Sequence, residues 1–197
     1  MARAFDLLRN DLVFVSPYER AVMAKAGVHP HRSWRGSEHL EQLVLGPDAE
    51  HRIGLLLLPP LPDGATSLPP DLVRQVEGAV RSLRSKTRLV VAMSPWGYKR
   101  EQELLSAPGP LPDLLLGSGL GIGLVGNIEA KGKTLWVRAF AQGKSMSRID
   151  ILAWPDHANI NFKWTEAQNI RMTLFGLTDQ YQEDSHMLSL MQSLGTD

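Results

Sequence analysis

The sequence predicts an α/β fold with a layered core. Three observations predict it. Several apolar runs are continuous in Leu, Val and Ile rather than alternating, which suits strands covered on both faces. One strongly amphipathic segment, 71–85, leads almost directly into such a run at 88–93. The 197 residues, 43% of them hydrophobic, are enough to bury the core of one domain and leave little room for two.

The strand signals fall at 12–15, 52–58, 88–93, 114–116, 134–140 and 147–152, with a further one at 169–174. In 71–85, Leu72, Val73, Val76, Val80 and Leu83 recur at helical spacing, while Arg74, Gln75, Glu77 and Arg81 fill the other face. The preceding link, 59–70, is too rich in proline to continue a helix or a sheet and reads as a stiff loop. Two strand ends share one chemistry, Ser16-Pro17-Tyr18-Glu19 and Ser94-Pro95-Trp96-Gly97. Ser16 is placed as an N-cap, Pro17 as the first helical residue and Glu19 as the partner in a capping box, so 17–26 is expected to be helical. Ser94 and Pro95 are expected to start a second helix running to Leu105, despite Gly97. Met187, Leu188, Leu190, Met191 and Leu194 give the last segment, 183–194, an apolar helical face expected to dock on the core. The chain is thus expected to be a single domain, 1–197, with 153–197 a C-terminal extension packed on it.

Composition excludes several function classes. Lys+Arg and Asp+Glu both total 21, so the formal net charge is zero and a polyanion meets no general attraction; nucleic acid is not an expected partner. With no cysteine, the chain has no disulfide, thiolate metal ligand or cysteine nucleophile. Arg3, Asp6, Arg9 and Asp11 interrupt the start, where a signal-peptide core would need an apolar run, and no later run reaches the roughly 20 apolar residues that span a bilayer. The expected location is cytoplasmic, or periplasmic if the sequence is a processed product, with no membrane association.

Four segments taken in order carry a resemblance: Leu89-Val90-Val91-Ala92-Met93-Ser94-Pro95-Trp96-Gly97; Pro112-Asp113-Leu114-Leu115-Leu116-Gly117-Ser118-Gly119; Lys133-Thr134-Leu135-Trp136-Val137; and 143–150. This run, roughly 89–152, resembles the calcineurin-like metallophosphoesterases, in particular bacterial 5′-nucleotidases and UDP-sugar hydrolases. Those proteins order an apolar strand with Ser-His-x-Gly, an Asp-led strand with Gly-Gly-His-x-His, and a strand pair. A weaker extension sets Ser16-Pro17-Tyr18-Glu19 against the family's Gly-Asn-His-Glu. The resemblance implies a layered metallophosphoesterase-like sandwich, a mixed sheet flanked by helices, truncated at the N-terminus and lacking the family's first metal motifs. On this alignment the positions that bind or support two divalent metals become Pro17, Pro95, Gly119 and Gly121, none of which has a side-chain donor. The implied protein is a non-catalytic relative, a pseudoenzyme with no cofactor, serving binding or assembly as a homodimer or with a partner chain covering the core. A small phosphate-containing ligand is a further expected partner.

The ligand-binding candidates are Ser16, Tyr18, Glu19, Ser94, Trp96, Gly117, Ser118, Gly119 and Gly121, at strand C-terminal ends where α/β proteins place ligands. The glycine-rich segment 117–123 reads either as an amide-lined cradle for an anion or as a degenerate loop. Tyr18 and Trp96 read as stacking platforms or as packing. One alternative is a metal-dependent phosphoester or nucleotide hydrolase recruiting Glu19, Asp113, His29 or His31, with a divalent metal as cofactor; another is a purely structural oligomerisation protein. Ser16 and Ser94 read as caps rather than nucleophiles, and His29-Pro30-His31 with His39 as a surface loop. His157 and His186 have no paired motif. Lys131, Lys133, Arg138, Lys144 and Arg148 read as a solvated face.

Overall fold

A computed structural model of the chain describes residues 7, 8, 10–29, 31, 33–36 and 38–194. Arg3, Asp6, Arg9 and Pro30, named above, lie outside the described residues. The chain forms two compact units, one comprising Ser37–Gly176 and the other Met1–Gly36 with Leu177–Asp197. The expected extension at 153–197 is therefore divided, its first part belonging to the larger unit and its last part to the smaller.

The smaller unit pairs strand β1 (Val13–Phe14) in parallel with β2 (Trp34–Arg35). Helix α1 (Pro17–Lys25) starts as its sequence predicts. Ser16 Oγ accepts from the Glu19 amide at 3.2 Å, and Glu19 Oε2 accepts from the Ser16 amide at 2.8 Å. This reciprocal bonding satisfies two amides that a helix start otherwise leaves open. Helix α4 (Ser185–Leu194) is capped by Asp184, whose Oδ1 accepts from the amides of His186 at 3.0 Å and Met187 at 2.9 Å. A hollow of about 670 Å³ lies between Leu7 and Leu8 and the α4 residues Met187 and Met191.

The larger unit is built on a six-stranded mixed sheet. Its strands are β3 (Glu41–Leu45), β4 (Ile53–Leu57), β5 (Leu89–Ser94), β6 (Leu114–Gly117), β7 (Leu124–Glu129) and β8 (Thr134–Arg138), in the order β3-β4-β5-β6-β8-β7. Strands β4, β5, β6 and β8 run parallel, and β3 and β7 close the two edges antiparallel. The four parallel strands are the continuous apolar runs of the sequence, and nearly all of their residues are buried. Helix α2 (Pro70–Arg84) covers the sheet with Val76, Ala79, Val80 and Leu83, which join Leu56, Val90, Leu104, Leu115 and Trp136 in one core. Asp71 in its first turn and Arg81 and Arg84 in its last complement the helix dipole. Residues 58–69 contain neither helix nor strand, as the prolines require.

Strand β9 (Ser145–Ile151) pairs antiparallel with β10 (Ile170–Gly176), in a register that sets Ile151 opposite Ile170. Three expectations need correction. Helix α3 (Tyr98–Leu105) starts from Gly97, which at φ 80° turns the chain in a conformation that glycine adopts without penalty, and Ser94 ends β5 instead of capping it. Gly126-Asn127, a pair that reads in the sequence as a turn, lies within β7, where a Cβ at Gly126 would sit 1.9 Å from Met172 Sδ of β10. The strand expected over 134–140 stops at Arg138, because a 3₁₀ turn forms at Ala141–Gly143. Among the described residues, no helix is long and apolar enough to cross a membrane.

Candidate functional site

At the C-terminal ends of the parallel strands, the two segments singled out by sequence meet. The amide and hydroxyl of Ser118 both donate to the Ser94 carbonyl, at 2.8 and 2.9 Å. Gly97 N donates to Ser118 O at 3.0 Å and Tyr98 N to Leu120 O at 2.8 Å, so the 94–98 turn and the glycine loop are zipped together. Gly119 and Gly121 have φ of 77° and 125°, and added Cβ atoms there would lie 2.6 Å from Pro95 O and 2.4 Å from Tyr98 Cβ. Both glycines are required by the close approach of two backbones.

What fills the loop is a guanidinium. Arg138, at the end of β8 and 1% exposed, donates from Nε to Ile122 O at 2.9 Å and from Nη2 to Gly119 O at 3.0 Å and Leu120 O at 3.2 Å. Its Nη1 donates to Glu101 Oε2, which also accepts from Trp136 Nε1 at 2.8 Å. An anion cradle needs convergent N–H groups. Here three loop carbonyls, those of Gly119, Leu120 and Ile122, converge instead on the Arg138 guanidinium. Gly117 is itself set by the ion pair, since a Cβ there would lie 2.0 Å from Glu101 Oε2. Arg138 is thus a buried anchor rather than part of a solvated face. The loop turns Leu120 and Ile122 outward, 91% and 61% exposed.

Trp96 packs in the core and donates from Nε1 to Pro59 O at 2.5 Å. Ser94 Oγ accepts from the Trp96 amide at 3.2 Å, a local turn bond. Ser16, Tyr18 and Glu19 belong to the smaller unit, where Ser16 and Glu19 form the capping box and Tyr18 is exposed. His31 Nδ1 lies 2.9 Å from Ser33 Oγ. Among the described residues, no group of three or more His, Asp or Glu side chains is placed to share a metal ion.

A second site lies at the opposite, N-terminal end of the parallel strands. Asp113 directly precedes β6, Arg84 ends α2, Lys133 directly precedes β8, and His157 comes from the irregular segment after β9. Asp113 is buried, so its carboxylate needs partners. Its Oδ2 accepts from Val90 N at 2.8 Å, its Oδ1 from Arg84 Nη2 at 2.8 Å, and His157 Nε2 lies 3.0 Å from both oxygens. Arg84 also donates to Leu111 O at 2.7 Å, and Lys133 Nζ to Ile160 O at 2.7 Å. These ties frame a cleft of about 660 Å³, a size that small-molecule sites share. Asp113 was legible in the sequence as a candidate ligand; Arg84 and His157 were not. The available signal was a carboxylate set directly before a buried strand, which had to find a cation somewhere.

Comparison with protein-family models finds no match for the chain, and comparison with curated proteins finds none either.

Proposed function

We propose that the chain is a metallophosphoesterase-like α/β protein without the family's two-metal chemistry, and that it works by binding or assembly. The observation that carries this reading is the buried Glu101–Arg138 pair, which occupies the glycine loop where the resemblance sets a metal-binding motif. Further support comes from Pro95, Gly119 and Gly121, which have no donor atoms to offer a metal. The contact surface is the strand-end loop with its exposed Leu120 and Ile122, and its partner is a second copy of the chain or another protein.

The test is a screen with Mn²⁺, Zn²⁺ and Ni²⁺ against nucleotides and a generic phosphoester, with metal binding followed by calorimetry. The expected result is neither stoichiometric tight binding nor turnover. Tight binding accompanied by metal-dependent phosphoester hydrolysis overturns the proposal. A hydrolase reading is favoured by one observation, the pairing of His157 with the buried Asp113 beside a cleft. It requires that Asp113→Asn abolish a turnover that Glu19→Ala leaves intact.

A further inference from the structure

We propose that the cleft at the N-terminal end of the parallel strands binds a small organic anion, an oxyanion headgroup carried on an apolar body. It stands apart from the assembly role, because the cleft and the glycine loop lie at opposite ends of β6.

Charge selects an anion. Arg84 and Asp113 are paired with each other, and the Asp113 oxygens are already engaged by Val90 N, Arg84 and His157, so a cation entering the cleft finds that carboxylate occupied. The other lining carboxylate, Asp156, accepts the Ala158 amide at 3.0 Å and is exposed. Lys131 and Lys133 line the same cleft, and among the described residues neither has a carboxylate partner. Lys133 gives Ile160 O one of its three ammonium hydrogens, which leaves two for a ligand.

The backbone fixes this presentation. Ala130 and Lys131 have φ of 52° and 58° and are followed by Gly132 at 93°. Two successive non-glycine residues in the left-handed region are costly and persist only where the surroundings over-determine them. Here Lys133 N donates back to Glu129 O at 3.1 Å, and Trp164 N donates to Gly132 O at 2.8 Å. The strained turn sets Lys131 on one wall of the cleft.

Apolar side chains contribute to the same lining. Leu105, Pro110, Leu111 and Phe162 line the cleft, and the Phe162 ring stands edge-on to Trp164 with centroids 5.1 Å apart. Lys133 Nζ lies 5.9 Å from the Phe162 centroid, so cation and aromatic surface adjoin. A ligand with a charged head and a flat or branched apolar body matches both.

The experiment is titration of the isotope-labelled full chain with benzoate, phenyl phosphate and neutral benzamide, each against sodium chloride of equal ionic strength, followed by amide shifts. Saturable shifts are expected at Lys131, Lys133, Ala158 and Phe162 with at least one of the anions. The tighter of the two assigns the headgroup as carboxylate or phosphate. Benzamide is expected to shift these amides weakly or not at all. Lys131→Gln, at an exposed position, weakens binding about tenfold if it removes one charge-assisted hydrogen bond; Lys133→Gln does the same, and unchanged shifts elsewhere show that each variant is folded. The proposal is overturned if neither anion shifts cleft amides beyond the chloride control, if benzamide matches the anions, or if Lys131→Gln binds as tightly as the parent chain.

Discussion

Arg138 and Glu101 are charged, and both are all but fully buried. Taking two ions out of water is costly, and their attraction offsets that cost only where the remaining hydrogen-bonding groups are satisfied. Arg138 meets this condition through three loop carbonyls, whereas Glu101 Oε1 is buried without a partner. Arg138→Met alone leaves Glu101 as an uncompensated buried charge and is expected to destabilise the fold by about 3–5 kcal/mol. Glu101→Leu together with Arg138→Met removes both charges and is expected to cost less than either single change. Denaturant midpoints of the two singles and the double decide this, and additive losses would refute the coupling. Gly117→Ala presses a methyl group onto Glu101 Oε2 and is expected to cost about 1–3 kcal/mol by overpacking, read from the same curves. The sequence displayed the glycines of this site but not their reason. Glu101 looks like one of several polar residues of a short helix, and Arg138 like one basic residue among five; only the packing of that helix against the end of β8 brings the two together at the 117–123 loop.

Elements whose signal is local were legible, and those defined by a neighbour were not. The Ser16–Glu19 box lies within four residues, and the structure reproduces both of its bonds. Ser16→Ala is expected to cost about 1 kcal/mol of local helix stability, visible as faster amide exchange in α1. Asp184 caps α4 likewise, and the bond from the Met187 amide holds its carboxyl below the ordinary carboxylate range. A depressed folded pKa means that the cap is present above the unfolded pKa of about 3.9 and is lost as pH falls through the lower folded value. Protection of the α4 amides, taken relative to the intrinsic exchange rate at each pH, is therefore expected to fall under acid, and Asp184→Asn to remove that loss; protection independent of pH in the parent chain would exclude the cap as its cause. The four parallel strands announce themselves because burial on two faces makes them uniformly apolar. Strand β3 does not, because an edge strand mixes Glu41 and Gln42 with apolar residues, nor does β7, whose Gly126-Asn127 mimics a turn. The reason for Gly126 is Met172, a residue 46 positions further along the chain.

The division of the chain into two units bears on which part carries the fold. Apart from Val15 and Trp34, every buried apolar side chain among the described residues falls within Ser37–Gly176. Helix α1 buries none of its residues. The six-stranded sheet, the core beneath α2, the Glu101–Arg138 pair and the anion cleft all lie inside the larger unit. Chains of this length bury about two thirds of the surface they expose when unfolded, which suffices for independent folding. A polypeptide of residues 37–176 is therefore expected to unfold cooperatively, with a thermal midpoint within a few degrees of the parent chain's. Circular dichroism and calorimetry measure both properties. Loss of cooperativity in the shortened chain would mean that residues outside 37–176 contribute to the core, and would restore the single 197-residue domain that length and composition first suggest. If cooperativity survives, anion binding should survive with it, since every residue lining the cleft is retained.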